Sequence, residues 1–182
     1  MQELSKYVER TLMTEAEIRE MVARLGAQIT RDYAGKKLFV ICVLKGAFVF
    51  MADLVRAIDL PLEVDFIAVS SYGSSTKTSG VVRLLKDIDK PLSDKHVLVV
   101  EDIMDSGLTL NYIKHMFEGR GPLSVKICTA FDKPERRKVD LKPDYVGAVI
   151  PDEFVIGYGL DYDGMFRNIP ELGILKREVY EK

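Results

Sequence analysis

Apolar residues follow two kinds of spacing along the chain, and the two kinds alternate. Between Thr14 and Gly35 they recur every three or four positions, which predicts an amphipathic helix that begins with a Thr14–Glu17 capping box. Continuous apolar runs rich in β-branched residues predict strands that are buried on both faces. The predicted strands cover residues 38–44, 62–70, 81–85, 97–100, 125–131 and 146–150, and further helices cover residues 48–58 and 109–117.

Buried strands that alternate with helices predict an α/β fold with a mostly parallel twisted sheet. In such sheets, ligands bind beyond the carboxyl ends of the strands. The chain has 182 residues, which fits one domain. We therefore expect the chemistry to lie where the polar segments follow the apolar runs.

Composition and charge narrow the classes of protein. Residues are 47% hydrophobic and 30% charged with a formal net charge of −2, which excludes disorder and argues against a nucleic-acid partner. Cys42 and Cys128 fall in apolar runs, as buried thiols do, and their spacing does not suggest a disulfide framework or a zinc site. No apolar stretch approaches the length of a membrane helix, so we expect a cytoplasmic protein without a membrane partner.

The segment at residues 97–109, VLVVEDIMDSGLT, carries the most chemical information. Glu101 and Asp102 end an apolar strand, where paired carboxylates can accept hydrogen bonds from the vicinal hydroxyls of a ribose. Gly107 permits a positive φ, and the amides at the start of the next helix suit a phosphate. The residues alone leave one alternative open, a solvated acidic loop in which Thr109 is a simple helix cap.

This segment resembles the phosphoribosyl-pyrophosphate motif of the type I phosphoribosyltransferases, and four other segments extend the resemblance. The combination is similar to the branch of the family that acts on 6-oxopurines, and it spans residues 7–175. The other segments are CVLKGA at 42–47, which looks like a pyrophosphate loop, SSYG at 70–73, which looks like the start of a mobile loop, FDKP at 131–134, and the stretch at 151–170.

The resemblance implies a fold, a reaction and an assembly. It implies the type I phosphoribosyltransferase fold, with a core at residues 14–150 and a small hood lobe from residues 1–13 and 151–182. The implied reaction moves the phosphoribosyl group of phosphoribosyl pyrophosphate to N9 of hypoxanthine, and also of guanine, with Mg²⁺ as cofactor. The family also implies a homodimer or homotetramer.

The resemblance assigns roles to the acidic turn and to the segment after the first buried strand. Glu101 and Asp102 would hold the ribose hydroxyls near Mg²⁺, and Asp105 would act at the purine N7 as a general base. The family's 5-phosphate site corresponds to Asp105, Ser106, Gly107, Leu108 and Thr109. Its pyrophosphate site corresponds to Lys45, Gly46 and Arg167, and the Leu44–Lys45 peptide is expected to be cis.

The last third of the chain would recognise the purine. By resemblance, Lys133 donates a hydrogen bond to the purine O6, and Phe154 stacks on the ring while Val155 reads its edge through backbone groups. Asp161 would line this purine site and hold a second Mg²⁺. The loop residues Ser71 and Tyr72 would cover the reacting centre.

Two other functions remain open at this point. A regulator on the same fold could sense phosphoribosyl pyrophosphate and bind nucleic acid, but it would not need Asp105, Lys133 or Phe154. A pyrimidine or adenine enzyme of the same superfamily would lack the 131–134 and 151–170 segments. Glu153 stands where many relatives have a basic residue, so the sequence leaves the preference among 6-oxopurines open.

Overall fold

Helices and strands alternate along the computed structural model, which describes residues 2–71 and 82–181. The helices are α1 (Gln2–Ser5), α2 (Glu15–Asp32), α3 (Phe48–Ala57), α4 (Leu108–Glu118) and α5 (Arg177–Tyr180), with a short 3₁₀ helix at Pro134–Arg136. The strands are β1 (Val8–Met13), β2 (Leu38–Leu44), β3 (Leu62–Ser71), β4 (Val82–Lys86), β5 (His96–Met104), β6 (Ser124–Asp132), β7 (Tyr145–Val149), β8 (Val155–Ile156) and β9 (Leu172–Leu175).

The main sheet has six strands in the order β4-β3-β2-β5-β6-β7. All neighbours pair in parallel except β4, which runs antiparallel to β3. Apolar residues of α2 and α3 pack on one face of the sheet and those of α4 pack on the other. Because both faces are covered, the central strand β2 is apolar throughout, and the predicted α/β fold is confirmed.

The first long helix begins as the sequence predicts. The Thr14 hydroxyl accepts a hydrogen bond from the Glu17 amide, and the Glu17 carboxylate accepts one from the Thr14 amide at 2.7 Å. These two bonds satisfy donors that a helix start would otherwise leave free, so the capping box is confirmed.

The predicted end of the strand before the acidic segment was wrong, and the predicted start of the following helix was one residue late. The strand does not stop at Val100, because its pairing with β6 continues through Glu101 opposite Thr129 and Ile103 opposite Phe131. Helix α4 begins at Leu108, one residue earlier than expected, and Gly107 precedes it with a φ of 80°. Thr109 is therefore inside the first turn of α4 and is not its N-cap.

A second sheet forms near both ends of the described chain. Its strand order is β1-β9-β8, and both pairs are antiparallel. Residues near the two ends of the chain thus meet in one layer, while the division into a core and a hood lobe at residues 13–14 and 150–151 stays a prediction. Across the described ranges, no helix has the length and apolarity to cross a membrane.

Two local features follow the predictions from the sequence. The Leu44–Lys45 peptide is cis, at the point where β2 ends. Cys42 in β2 and Cys128 in β6 are both free and fully buried, on the two sides of β5. The interpretation of the cysteines as small buried side chains is confirmed.

Candidate functional site

The end of β5, the turn at residues 105–107 and the start of α4 line a cavity of about 220 Å³. The turn lies at the carboxyl edge of the sheet, where ligands of such folds bind. The lining residues are Glu101, Asp102, Ile103, Met104, Asp105, Ser106, Gly107, Thr109 and Leu110. The structure thus brings together nearly all of the residues that the sequence assigned to the ribose and the 5-phosphate.

Glu101 and Asp102 form a tightly interacting acidic pair. Burial, followed by the neighbouring Asp102 charge, raises the pKa of Glu101 well above its ordinary range. Burial also raises the pKa of Asp102, although its carboxylate accepts a hydrogen bond from the Ile103 amide at 2.7 Å. Burial and the adjacent like charge disfavour the ionised form of both carboxylates. Hydroxyl donors of a ligand or a bound cation would stabilise that ionised form.

Backbone hydrogen bonds from the loop after β6 fix the backbone of the turn. The Lys133 amide donates to the Met104 carbonyl, and the Lys138 amide donates to the Ser106 carbonyl, both at 2.9 Å. The N-cap Gly107 has no side chain to cap the first amides of α4, and the Leu108 amide makes only a long hydrogen bond, 3.5 Å, to the Ser106 hydroxyl. Because helix N-termini favour anions, these amides are available to a phosphate.

A second cavity, of about 420 Å³, adjoins the first. It shares Ile103 and Asp105 with the smaller cavity, so Asp105 stands where the two meet. The remaining lining residues are Lys133, Arg136, Asp152, Glu153, Phe154, Val155, Leu160 and Asp161. The structure therefore groups all four residues that the resemblance assigned to the purine around one space.

Lys133 is held in the wall of the larger cavity. It is only 8% exposed, and its Nζ donates to the Glu153 carbonyl at 2.6 Å. Burial lowers the pKa of this lysine, because desolvation penalises the ammonium form. An ammonium group has three donors, so a second bond to a ligand oxygen remains possible.

The aromatic ring of Phe154 is supported by two tyrosines that the sequence analysis did not identify. Tyr180 stacks on it with ring centroids 5.0 Å apart, and Tyr162 meets it edge-on at 5.6 Å. Phe154 remains 39% exposed and lines the larger cavity, whereas Val155 is buried in β8. Neither contact was visible in the sequence, because no spacing pattern relates Tyr180 in α5 to Phe154.

The segment after β2 approaches the acidic pair through a glycine. A Cβ on Gly46 would overlap the Asp102 carboxylate and come within 2.6 Å of its Cγ. On the other side, the Gly46 carbonyl lies against Gly159, whose φ is 98°. The exposed Lys45 precedes this glycine, so the candidate pyrophosphate segment touches the candidate ribose site directly.

Arg167 joins the same group of contacts. Its Nη1 donates to the Gly159 carbonyl at 2.7 Å, and its Nη2 lies 2.6 Å from Asp161 Oδ1. Lys45, Gly46 and Arg167 are thus connected through Gly159. We note that the Asp161 carboxylate already faces a guanidinium, which would have to share it with a metal ion.

Some assigned residues are not brought together. Asp161 lines the larger cavity, whereas Glu101 and Asp102 line the smaller one. Within residues 2–71 and 82–181, no three His, Cys, Asp or Glu side chains form a metal-binding group. Ser71 is the last residue of β3, and Tyr72 lies outside the described residues.

Two arginines that the sequence analysis missed contact the acidic turn from the 3₁₀ helix and its C-cap. Arg136 Nε lies 2.7 Å from Asp105 Oδ1, and its Nη1 donates to Asp152 at 3.0 Å. Arg137 Nη1 donates to the Asp105 carbonyl at 2.7 Å, and its Nη2 donates to the Asp132 carboxylate. The only feature of the sequence that could have identified these arginines is their position three and four residues after Lys133.

Comparison with known proteins gives a consistent family. The profile of the phosphoribosyl transferase domain matches residues 12–163. Hypoxanthine-guanine phosphoribosyltransferases from Streptococcus thermophilus and Bacillus subtilis are 49% and 50% identical, over 98% and 96% of this chain and 99% and 97% of theirs. A solved hypoxanthine phosphoribosyltransferase from Staphylococcus aureus is 45% identical with a TM-score of 0.96, covering 98% of this chain and 97% of its own.

A second solved structure, of the Trypanosoma cruzi hypoxanthine phosphoribosyl transferase, aligns almost as well. It is 45% identical with a TM-score of 0.92, and the match covers 97% of this chain and 95% of that one. That structure comes from work on the role of its C-terminal region in oligomeric state and enzymatic activity. The likeness therefore extends over nearly the whole chain in both sequence and fold.

Proposed function

The chain belongs to the phosphoribosyl transferase domain family, and from this premise we propose that it is a purine salvage enzyme. It transfers the phosphoribosyl group of phosphoribosyl pyrophosphate to N9 of hypoxanthine or guanine. The observation that carries this function is the junction of the two cavities at Ile103 and Asp105. A sugar phosphate in the smaller cavity and a base in the larger one would meet there.

The transfer needs one proton acceptor at the junction. The purine N9 lone pair attacks the sugar C1, and the bond from C1 to the pyrophosphate oxygen breaks with its electrons leaving on pyrophosphate. The purine enters as the tautomer that carries its proton on N7, and Asp105 accepts that proton as the N9–C1 bond forms. Proximity of the two substrates and removal of the proton are the contributions that the chain's own residues supply.

The acidic pair fits a magnesium site shared with the substrate. Mg²⁺ binds through one or two carboxylates together with substrate oxygens and water, which matches a site with two adjacent carboxylates, Glu101 and Asp102. When bound, the ion would neutralise charge on the pyrophosphate. Asp161 is a further candidate ligand, in competition with its contact to Arg167.

The other assigned residues bind the two ends of the substrates. The turn from Ser106 to Thr109 offers backbone amides to the 5-phosphate, and Lys45, Gly46 and Arg167 surround the pyrophosphate. Lys133 donates to the purine O6, Phe154 stacks on the ring, and Val155 reads the ring edge through its backbone. Ser71 and Tyr72 belong to a segment that we propose to cover the site.

The alternative of a regulator that binds nucleic acid is left without support. The relatives described above are named as phosphoribosyltransferases, and this chain has Asp105, Lys133 and Phe154 around one cavity. We further propose a cytoplasmic homodimer or homotetramer. The two free, buried cysteines are in keeping with a reducing compartment.

The function is tested by offering hypoxanthine, guanine, xanthine, adenine and uracil in turn and measuring pyrophosphate release with phosphoribosyl pyrophosphate and Mg²⁺. We expect turnover with hypoxanthine and guanine and little with adenine and uracil. Removing divalent cations with EDTA should abolish the rate, and added Mg²⁺ should restore it. An enzyme that turns over neither hypoxanthine nor guanine would refute the proposal.

Replacing Lys133 by Met should weaken recognition of the purine oxygen. Met has a similar length without the donor, and an unsatisfied buried polar group costs about 1–3 kcal/mol. We expect kcat/KM for hypoxanthine and guanine to fall by roughly 5- to 150-fold, with the KM for phosphoribosyl pyrophosphate unchanged.

The matched control is Lys138→Met, because Lys138 has an exposed side chain in the same loop. It should keep wild-type constants for both substrates. Equal losses in the two variants, or a loss confined to phosphoribosyl pyrophosphate, would remove Lys133 from the purine site.

A further inference from the structure

Arg136 connects two parts of the site that lie far apart in the sequence. Its Nε lies 2.7 Å from Oδ1 of Asp105, in the turn after β5, and its Nη1 donates to Asp152 Oδ1 at 3.0 Å. Asp152 precedes the segment that holds Glu153 and Phe154. The guanidinium of Arg136 thus contacts both the proposed general base, Asp105, and the loop that leads into β8 at the purine site.

The two successive arginines act on different atoms of the turn. Arg137 Nη1 donates to the carbonyl oxygens of Asp105 and Met104, so it holds the backbone of the turn. Its Nη2 pairs with Asp132 in β6. Arg136 contacts the Asp105 carboxylate itself. Lys133, the other cation of this wall, is directed to the Glu153 carbonyl. Of these three cations, Arg136 is therefore the one whose contact can orient the Asp105 side chain.

We propose that Arg136 is a positioning residue, which aims the Asp105 carboxylate at the purine N7 and couples it to the loop at Asp152. This inference rests on the proposed function, because it needs Asp105 to act on a purine. Oδ1 of Asp105 is buried in ion-pair contact with the guanidinium and has no hydrogen-bond partner among the described residues, so Oδ2 is left to accept the N7 proton. Arg136 also lines the larger cavity, so the bound base would lie beside this arrangement.

The chemistry of the side chain explains why an arginine suits this place. Its planar fork presents Nε and Nη1 to two carboxylates in fixed directions, whereas a lysine ammonium is a single point charge. The side chains of Arg136, Asp105 and Asp152 are 50%, 46% and 43% exposed. Ion pairs this exposed add little to stability, so their main effect is on orientation.

The test compares Arg136→Gln, Arg136→Lys and the control Glu135→Gln in the full chain with hypoxanthine as acceptor. Misplacing a catalytic group by an ångström costs on the order of 100-fold, so we expect Arg136→Gln to lower kcat by about 10- to 100-fold with the KM for phosphoribosyl pyrophosphate unchanged. Arg136→Lys should recover part of this loss. Glu135 is exposed on the same 3₁₀ helix, and its variant should keep the wild-type rate.

A double-mutant cycle shows whether Arg136 acts through Asp105. In the Asp105→Asn background, Arg136→Gln should cause no further loss of kcat, because the group that it aims is already gone. Multiplied losses in the double variant, or an Arg136→Gln enzyme with wild-type kcat, would overturn the inference. If the wild-type enzyme turned over no 6-oxopurine, the proposed function would fail instead.

Discussion

Replacing Asp105 by Asn is expected to lower kcat with hypoxanthine by about 10²- to 10⁴-fold, the range of general acid–base catalysis. The amide has almost the shape of the carboxylate but cannot accept the N7 proton. Asp105 lies at the junction of the two cavities, and the substitution leaves the backbone amides of residues 106–109 in place for the 5-phosphate. Steady-state measurement of pyrophosphate release gives kcat and both KM values.

The KM for phosphoribosyl pyrophosphate should stay at its wild-type value in this variant. Asp140→Asn, at an exposed position in the loop after β6, is the control for loss of one carboxylate and should have the wild-type rate. A kcat for Asp105→Asn within a factor of about two of wild type would show that the proton leaves by another route.

Gly46→Ala should remove most activity through a steric effect. A Cβ at this position would overlap the Asp102 carboxylate, so either the segment after β2 or the acidic pair must move. The opposite side offers no space, because the Gly46 carbonyl is packed against Gly159. A shift of an ångström at the reacting groups costs on the order of 100-fold in rate, and we expect a loss of that size in kcat/KM for phosphoribosyl pyrophosphate.

Gly119→Ala is the matched control for the added methyl group. The nearest atom to a Cβ there is the His115 carbonyl oxygen at 3.5 Å, and the residue has a helical φ of −65°. This variant should match wild type in kcat/KM and in melting temperature. A Gly46→Ala enzyme with undiminished kcat/KM would mean that the close approach to Asp102 is not needed for binding.

The fold could be predicted from apolar patterning wherever burial decides the structure. The runs at 38–44 and 125–131 are strands that helices cover on both faces of the sheet. Their mostly apolar residues make this burial visible in the sequence. The end of β5 could not be predicted in the same way. Glu101 and Asp102 have the composition of a loop, but the backbone pairing with β6 extends the strand past them.

The site was predictable where one short segment of the sequence carries several of the functional groups, as at residues 101–109. It was not predictable where segments distant in sequence meet. The contact between Arg136 and Asp105 crosses 31 positions of the chain, and the stacking of Tyr180 on Phe154 depends on the packing of α5. Spacing rules describe neighbours along a helix or strand, and they do not reach such pairs.

The two buried thiols give the central sheet its own reporter group. Burial raises the pKa of Cys42 to about 12, and it also raises the pKa of Cys128, so neither offers the thiolate that alkylating reagents attack. Iodoacetamide can therefore react only after the strands around these cysteines separate. Labelling kinetics then measure how often the sheet opens. A nucleotide that fills both cavities should slow the labelling by a factor of one plus the ratio of its free concentration to its Kd.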